Sequence, residues 1–400
     1  MLKSNLYLDY AASVSANPSS VHVLGMLAKK KLENARKKIA DILNVRSEEM
    51  IFTSGGTESN NLAIQGAIWG WLEKNSKKNL PHIITTNIEH PSVLETYQLL
   101  KRRGLTEITI VPVEANGIVN PKKIKKEIKK NTVLVSVMYA NNEIGTIQPI
   151  KEITKEIKHY RKKEQKSFPY FHTDAVQGAN YLDLNVERLG VDLLSLSGSK
   201  IEGAGRVGVL YKRKSVPLVN IFGGGDQEQG LRPGTENLEA IVKFSTALQS
   251  AQSVKEKETK RLAKLRDYFI AELLSIFSHC ALPGLPGGTL ADKKFKEVPL
   301  IINGDLENRL PNNVNITFPK IPSDLLVIEL SAKGIMASSK SACKSSRAEG
   351  SYVIKALRPD SDSEIGGVRF SLGKNTTKKD IDETVKALSL ILAKLKKWYT

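Results

Sequence analysis

Cysteine is nearly absent from this sequence: its 400 residues include only Cys280 and Cys343. Such a count excludes a disulfide framework and predicts reduced thiols. Long apolar runs are also missing, since no stretch approaches the roughly 18 consecutive apolar residues of a membrane span. The first residues, MLKSNLYLDYAAS, show neither a basic segment followed by an apolar run nor a cleavage site. We therefore expect a cytoplasmic protein that does not enter a membrane.

Familiar ligand motifs are missing as well. The sequence has no zinc-type spacing of Cys and His, no nucleotide P-loop and no dinucleotide fingerprint, so no metal is expected. Positive charge, by contrast, is in excess, because 60 Lys and Arg against 42 Asp and Glu give a net charge of +18. The lysines cluster at helical spacing, which is typical of solvated helix faces. Contact with nucleic acid stays open as an accessory property, not as the primary function.

The apolar pattern predicts an α/β fold. Helical patterns such as SVLETYQLLKRRG and IKEITKEIKHYRKK separate several short runs rich in β-branched residues. Strands that alternate with helices indicate a mainly parallel sheet with both faces covered. The runs that predict strands are HIITT (82–86), EITIVPV (107–113), TVLVSVMY (132–139), YFHTDA (170–175), LLSLS (193–197) and VGVLYKR (207–213).

The chain is long enough for two domains, because 400 residues exceed what one hydrophobic core usually organises. A long helical stretch around 235–278 is followed by turn-rich sequence, short strands and amphipathic helices. We predict a large domain over residues 12–250. A smaller α+β domain is predicted over 251–400, joined by the N-terminal residues 1–11.

Asp174, Ser197 and Lys200 stand at the predicted carboxyl ends of strands, where open α/β sheets bind ligands. Lys200 follows a buried strand among small residues, a setting that partly desolvates an amine for Schiff-base chemistry. Asp174 ends another strand and is suited to pair with a pyridine nitrogen, although strand-end aspartates also cap helices. FTSGGTESNN places small residues before a helix that begins near Thr57, where free N–H groups favour a phosphate. Gly-rich turns into helices are common, so each feature alone leaves a structural role open.

Ten sequence blocks together resemble the cysteine desulfurases, and more closely the class that includes the NifS and IscS enzymes. The resemblance spans nearly the whole chain and implies pyridoxal-phosphate (PLP) fold type I, with a seven-stranded, mainly parallel sheet in the large domain. The blocks occur in the family's order: YLDYAA, NPSSVH, FTSGGTESNNLAI, HIITTNIEHPSVLE, ANNEIGTIQPI, HTDAVQ, VDLLSLSGSK, GGGDQEQGLRPGTEN, SSKSACKSS and VRFSLGKNTT.

The resemblance also implies roles for individual residues. Lys200 would hold PLP as a Schiff base, Asp174 would pair with the pyridine nitrogen, and His90 would stack on the ring as a further catalytic residue. Asn142 and Arg369 would bind the substrate carboxylate, a task suited to a bidentate guanidinium. The remaining implied cofactor contacts are Gln177 at the ring hydroxyl; Gly56, Thr57, Ser197 and Ser199 at the phosphate; Asn142 as a further contact; and Thr235, contributed by the partner subunit of a homodimer.

Cys343 would be the nucleophile that takes sulfur from L-cysteine and leaves L-alanine. It lies in a run of small and polar residues, which is typical of an exposed loop. The nearby basic residues Lys340, Lys344 and Arg347 favour its thiolate. Cys280 is interpreted as a buried small hydrophobe. The persulfide on Cys343 would pass to an acceptor protein, such as an iron–sulfur scaffold or a tRNA-thiolation enzyme.

Two positions depart from the family pattern. Ser199 stands where a histidine usually precedes the cofactor lysine, and Lys340 replaces a usual glycine in the cysteine loop. Other functions therefore stay open at this point. The chain could be another fold-type-I PLP enzyme, such as an aminotransferase for small amino acids or a selenocysteine lyase. It could also be a basic sulfur-delivery or RNA-binding adaptor with impaired catalysis.

Overall fold

The computed structural model of the protein describes residues 6–14, 16–75, 79–277, 299–339, 350–359 and 366–399. Helices and strands alternate along much of this chain. The helices are α1 (Val23–Leu43), α2 (Gly56–Leu72), α3 (Pro91–Arg102), α4 (Pro121–Lys126), α5 (Ile150–Glu164), α6 (Val186–Leu189), α7 (Leu238–Ile276), α8 (Ser323–Ser331), α9 (Tyr352–Leu357) and α10 (Lys378–Tyr399). The strands are β1 (Met50–Thr53), β2 (His82–Thr86), β3 (Glu107–Val111), β4 (Thr132–Ser136), β5 (Tyr170–Asp174), β6 (Leu193–Ser197), β7 (Gly208–Lys212), β8 (Ile301–Ile302), β9 (Asn313–Thr317) and β10 (Val368–Ser371).

Seven of the strands form one mainly parallel sheet in the order β1-β7-β6-β5-β4-β2-β3. The pairs from β3 through β6 are parallel. Strand β7 is antiparallel to both β6 and β1, so β1 runs in the same direction as the parallel strands. The α/β fold and the six predicted strands are confirmed. Strand β1, which leads into the Gly-rich turn, was not among the predicted strands.

Hydrophobic side chains cover both faces of this sheet. Successive strand residues point to opposite faces, and the neighbours Ile83 and Ile84 accordingly belong to two different hydrophobic clusters. Helices α2 and α3 pack in one cluster, whereas α1, α5 and the first half of α7 pack in the other. The central strands are therefore buried on both sides, which explains their nearly continuous apolar sequence.

A second hydrophobic core surrounds the antiparallel sheet β10-β9-β8 together with α8, α10 and the second half of α7. Helix α7 joins the two cores: Leu248 is buried in the first and Leu262 in the second. The predicted domain boundary at 250/251 lies in the stretch between these two residues. Among the described residues, no helix combines the length and apolar character needed to cross a membrane.

Candidate active site

Polar side chains from several strand ends meet in one cavity of about 590 Å³ at the carboxyl edge of the large sheet. The volume lies in the usual range for a small-molecule site. Ten of the residues predicted from the sequence line it: Gly56, Thr57, His90, Asn142, Asp174, Gln177, Ser197, Ser199, Lys200 and Arg369. Thr235 is exposed and lies outside this cavity in the single chain. Cys343, Lys340, Lys344, Arg347 and Cys280 lie outside the described residues.

Asp174 is the last residue of β5 and is 6% exposed. One of its carboxylate oxygens, Oδ1, accepts the backbone N–H of Val176 at 3.0 Å. The other, Oδ2, accepts from Asn60 Nδ2 at 2.7 Å. Two fixed donors orient the carboxylate at the cavity wall, so Asp174 can present an oxygen to a positively charged ring nitrogen.

His90 caps the N-terminus of α3, because its Nδ1 accepts the backbone N–H of Ser92 at 3.1 Å. Ser92 Oγ lies 2.8 Å from the same nitrogen. Burial lowers the pKa of His90; the Asp174 carboxylate opposes this lowering, and the Lys200 ammonium adds to it. These contacts favour a neutral imidazole at the cavity wall.

The turn between β1 and α2 forms a cradle for an anion. Gly55 is the N-cap of the 17-residue helix α2, whose first N–H groups have no partner within the helix. A Cβ at Gly56 would lie 2.9 Å from Val176 Cγ2 and 3.3 Å from Ser197 Cβ, so a larger residue would have to displace these side chains. Ser197 Oγ lies 3.0 Å from Ser199 Oγ, which brings two hydroxyls beside this helix end.

Lys200 ends a short 3-10 helix, Gly198–Lys200, that directly follows β6. Asn180 Nδ2 donates to the Lys200 carbonyl oxygen at 2.8 Å and fixes this backbone over the cavity. The side chain lines the cavity but is exposed in the single chain. The partial burial expected from its strand-end setting is therefore not provided by this chain alone.

Arg369 and Asn142 also line the cavity and approach each other there. Arg369 Nη1 donates to the Asn142 carbonyl oxygen at 3.0 Å. Arg369 Nε and Asn142 Oδ1 are buried and have no hydrogen-bond partner among the described residues. Burial lowers the pKa of Arg369, while the Glu143 carboxylate opposes the change. Arg369 Nε is thus left as a donor and Asn142 Oδ1 as an acceptor for a small polar ligand. This pair fits the carboxylate and the amine of an amino acid.

Sequence reasoning missed several residues that line the cavity: Asn60, Ser92, Tyr181, Arg206 and Asn312. Asn60 follows Gly56 by four residues in α2, so helical spacing alone would have placed both on one face. Asn312 resembles Asn142 in having a buried Oδ1 without a hydrogen-bond partner among the described residues. No local pattern distinguishes Arg206 from the many other basic residues of the chain.

The residues present fit PLP. The Gly56 cradle and the two serine hydroxyls suit a phosphate, Asp174 suits a protonated pyridine, and Lys200 supplies the amine. The fold and this site define a PLP-dependent enzyme of fold type I.

Comparisons with known proteins agree with this class. The family model described as "Aminotransferase class-V" matches residues 4–284. The chain is 40% identical to the cysteine desulfurase IscS of Dictyoglomus turgidum, over 99% of this chain and 96% of that protein. Among solved structures, a NifS-like protein shares 33% identity with a TM-score of 0.80, over 95% of this chain and 92% of its own. A structure titled "SspA in complex with cysteine" shares 30% identity with a TM-score of 0.69, over 89% and 90%. The chain belongs to the class-V aminotransferase family, and within it to the cysteine desulfurases of the IscS and NifS type.

Proposed function

We propose that this protein is a cysteine desulfurase, which converts L-cysteine to L-alanine and transfers the sulfur to Cys343 as a persulfide. The main support is the single cavity that combines Asp174, His90, Lys200 and Arg369. Within one small site, this set offers the Asp174 carboxylate for a pyridine nitrogen, the Lys200 amine, and the Arg369 guanidinium for a substrate carboxylate. The cysteine desulfurases among its relatives support the same reaction.

The proposed roles follow from the chemistry of each side chain. Gly56, Thr57, Ser197 and Ser199 hold the phosphate, Asp174 and Gln177 hold the ring, and His90 packs on its face. Bound PLP supplies an electron sink conjugated to the substrate α-carbon. Arg369 holds the substrate carboxylate, Asn142 lies beside it with Oδ1 free to accept from the substrate nitrogen, and Lys200 Nζ accepts the α-proton as a general base.

The sulfur-transfer step balances without an external oxidant. The Cys343 thiolate attacks the substrate sulfur and forms an S–S bond, while the substrate Cβ–S bond breaks. Its electron pair stays on the substrate carbon, which takes up a proton to give alanine. The persulfide on Cys343 therefore carries sulfur at the oxidation level that a thiol acceptor can collect.

The assembly and the destination of the sulfur are also proposals. A homodimer would bring the partner's copy of the exposed Thr235 to each site, and it would cover the exposed Lys200. We divide the chain into a large domain over 12–250 and a small one over 251–400 with 1–11. The two hydrophobic cores joined by α7 support most of this division, although Val353, Ile354 and Leu357 of α9 pack in the core of the large sheet. We place the protein in the cytoplasm. There it would deliver sulfur to an acceptor protein for iron–sulfur cluster assembly, tRNA thiolation or both.

Sulfide release from L-cysteine in the presence of a thiol reductant tests this function. Purified protein should show an absorption band near ~420 nm that Lys200→Ala abolishes. Cys343→Ala should keep that band and lose sulfide release, whereas Cys280→Ala should keep both. Sulfide release that survives Cys343→Ala would contradict the proposed nucleophile. Transfer of the amino group to an oxo acid, with no alanine formed from cysteine, would instead indicate an aminotransferase.

A further inference from the structure

Asn60 occupies a central position that the proposed chemistry does not yet use. It lies on α2 one turn after the anion cradle and is 1% exposed. Its Nδ2 donates to Asp174 Oδ2 at 2.7 Å and to Ser92 Oγ at 2.9 Å. A single amide group therefore links the carboxylate at the end of β5 to the first turn of α3.

The hydrogens in this network have only one arrangement. If the Asn60 amide were flipped, its carbonyl oxygen would face the Asp174 carboxylate, and two acceptors cannot bond. The amide hydrogens must therefore point to Asp174 and to Ser92. In this orientation Asn60 Oδ1 is buried and has no hydrogen-bond partner among the described residues. Because its carbonyl oxygen has no partner among these residues, the Asn60 amide acts in this network through its N–H donors.

The same order extends to His90. Ser92 Oγ accepts from Asn60, so its own hydrogen is free to go to His90 Nδ1, 2.8 Å away. The backbone N–H of Ser92 donates to this nitrogen as well, at 3.1 Å. Two donors aimed at Nδ1 leave no room for a hydrogen there, so the proton of the neutral ring resides on Nε2.

We propose that Asn60 is a positioning residue that orients Asp174 as an acceptor and, through Ser92, fixes His90 as the neutral tautomer with its proton on Nε2. This inference rests on the proposed function, because that function gives Asp174 and His90 their roles at the cofactor. A second proton on His90 would require Nδ1 to lose both donors. Burial is the main cause of the lowered pKa of His90; the Asp174 carboxylate opposes it and Lys200 adds to it, with the neutral ring as the result.

The sharpest variant is Asn60→Asp, which has the same shape but no amide hydrogens. Its carboxylate would face Asp174 and accept the Ser92 hydrogen, so His90 Nδ1 would keep only the backbone N–H donor of Ser92 and would gain a nearby negative charge. The pKa of His90 should then rise, PLP affinity should fall about tenfold or more, and kcat should fall by at least as much. KM for cysteine should change little, because Arg369 and Asn142 are untouched.

Asn61→Asp is the matched control, since it adds the same charge to the next residue of α2. Asn61 Oδ1 accepts hydrogen bonds from Gln65 and Thr96, which a carboxylate keeps, whereas the bond from Asn61 Nδ2 to the Thr57 carbonyl oxygen is lost. Because neither Asp174 nor Ser92 is touched, we expect PLP affinity and kcat to fall clearly less in this control than in Asn60→Asp. Ser92→Ala separates the two halves of the network. It should keep tight cofactor binding through Asp174 and alter only the titration of His90.

Nitrogen NMR of the full-length protein with labelled histidine reads the tautomer directly, and the chain has only six histidines. Spectra of the wild-type protein, with and without PLP, should show His90 Nδ1 unprotonated from pH 6 to 8. A proton on Nδ1 in the wild type, or equal effects of Asn60→Asp and Asn61→Asp, would overturn the inference. The NMR experiment does not depend on turnover. Failure of the desulfurase assignment is therefore judged separately, by whether Cys343→Ala loses sulfide release. If Asn60→Asp fails to fold, Ser92→Ala carries the test: a His90 titration identical to that of the wild type would overturn the inference.

Discussion

Gly208 offers a severe steric test of the anion cradle. It begins β7 and lies opposite Thr53, the last residue of β1, directly before the turn. A Cβ at Gly208 would lie 2.3 Å from Thr53 Oγ1 and 2.5 Å from the Gly55 carbonyl carbon. The Gly55 backbone cannot rotate away as a side chain can, so Gly208→Ala must push the turn toward the cavity.

Two effects should follow from this displacement. Overpacking at a buried site costs about 1–3 kcal/mol in the free energy of unfolding. A shifted turn also loses at least one N–H bond to the phosphate, and a hydrogen bond to a charged group is worth about 1.5–3 kcal/mol. The second cost corresponds to a Kd for PLP that is about 10- to 100-fold higher.

Urea unfolding and fluorescence titration of the apo protein with PLP measure the two effects. Gly373→Ala is the control, because a Cβ there meets no atom within 4 Å, and both quantities should stay at wild-type values. Gly56→Ala should be milder in stability, since its closest contact is a side-chain methyl of Val176. If Gly208→Ala binds PLP as tightly as the wild type, the cradle is not set by this packing and the reasoning fails.

Three other changes have defined outcomes. Glu228→Gln removes the carboxylate that binds Arg36 through two bonds of 2.7 and 2.8 Å, and chemical unfolding should show a loss of about 3–5 kcal/mol; an unchanged midpoint would contradict it. Burial lowers the pKa of His172 to about 3, so the folded state binds no proton there while the unfolded state does below pH ~6.5. Stability should therefore fall as pH drops from 6.5 toward 3, by about 1.4 kcal/mol per pH unit from this residue, and His172→Gln should flatten the slope measured in urea. Arg369→Lys should raise KM for cysteine about tenfold or more with a smaller change in kcat, because a lysine cannot make a bidentate contact; steady-state assays would refute this role if KM were unchanged.

Local patterns in the sequence were enough for the α/β fold and for three parts of the candidate site, namely Asp174, Lys200 and the Gly-rich turn. Strands buried on both faces must be apolar along their length, so β2 and β4 through β7 stand out as continuous hydrophobic runs. Parallel strands end at the same edge, so Asp174 and Lys200 could be predicted as neighbours from their positions after two such runs. The ordered blocks supplied what spacing could not, such as Arg369.

Only the tertiary structure decided which groups touch. Strand order brings Asn60 against Asp174, 114 residues away, and the packing of β10 brings Arg369 against Asn142, 227 residues away. The direction of the hydrogens at His90 likewise depends on those distant contacts. A sequence specifies each element through its own residues, but long-range pairings depend on how all the elements pack together, so the exposure of Lys200 and the role of Asn60 become visible only in the folded chain.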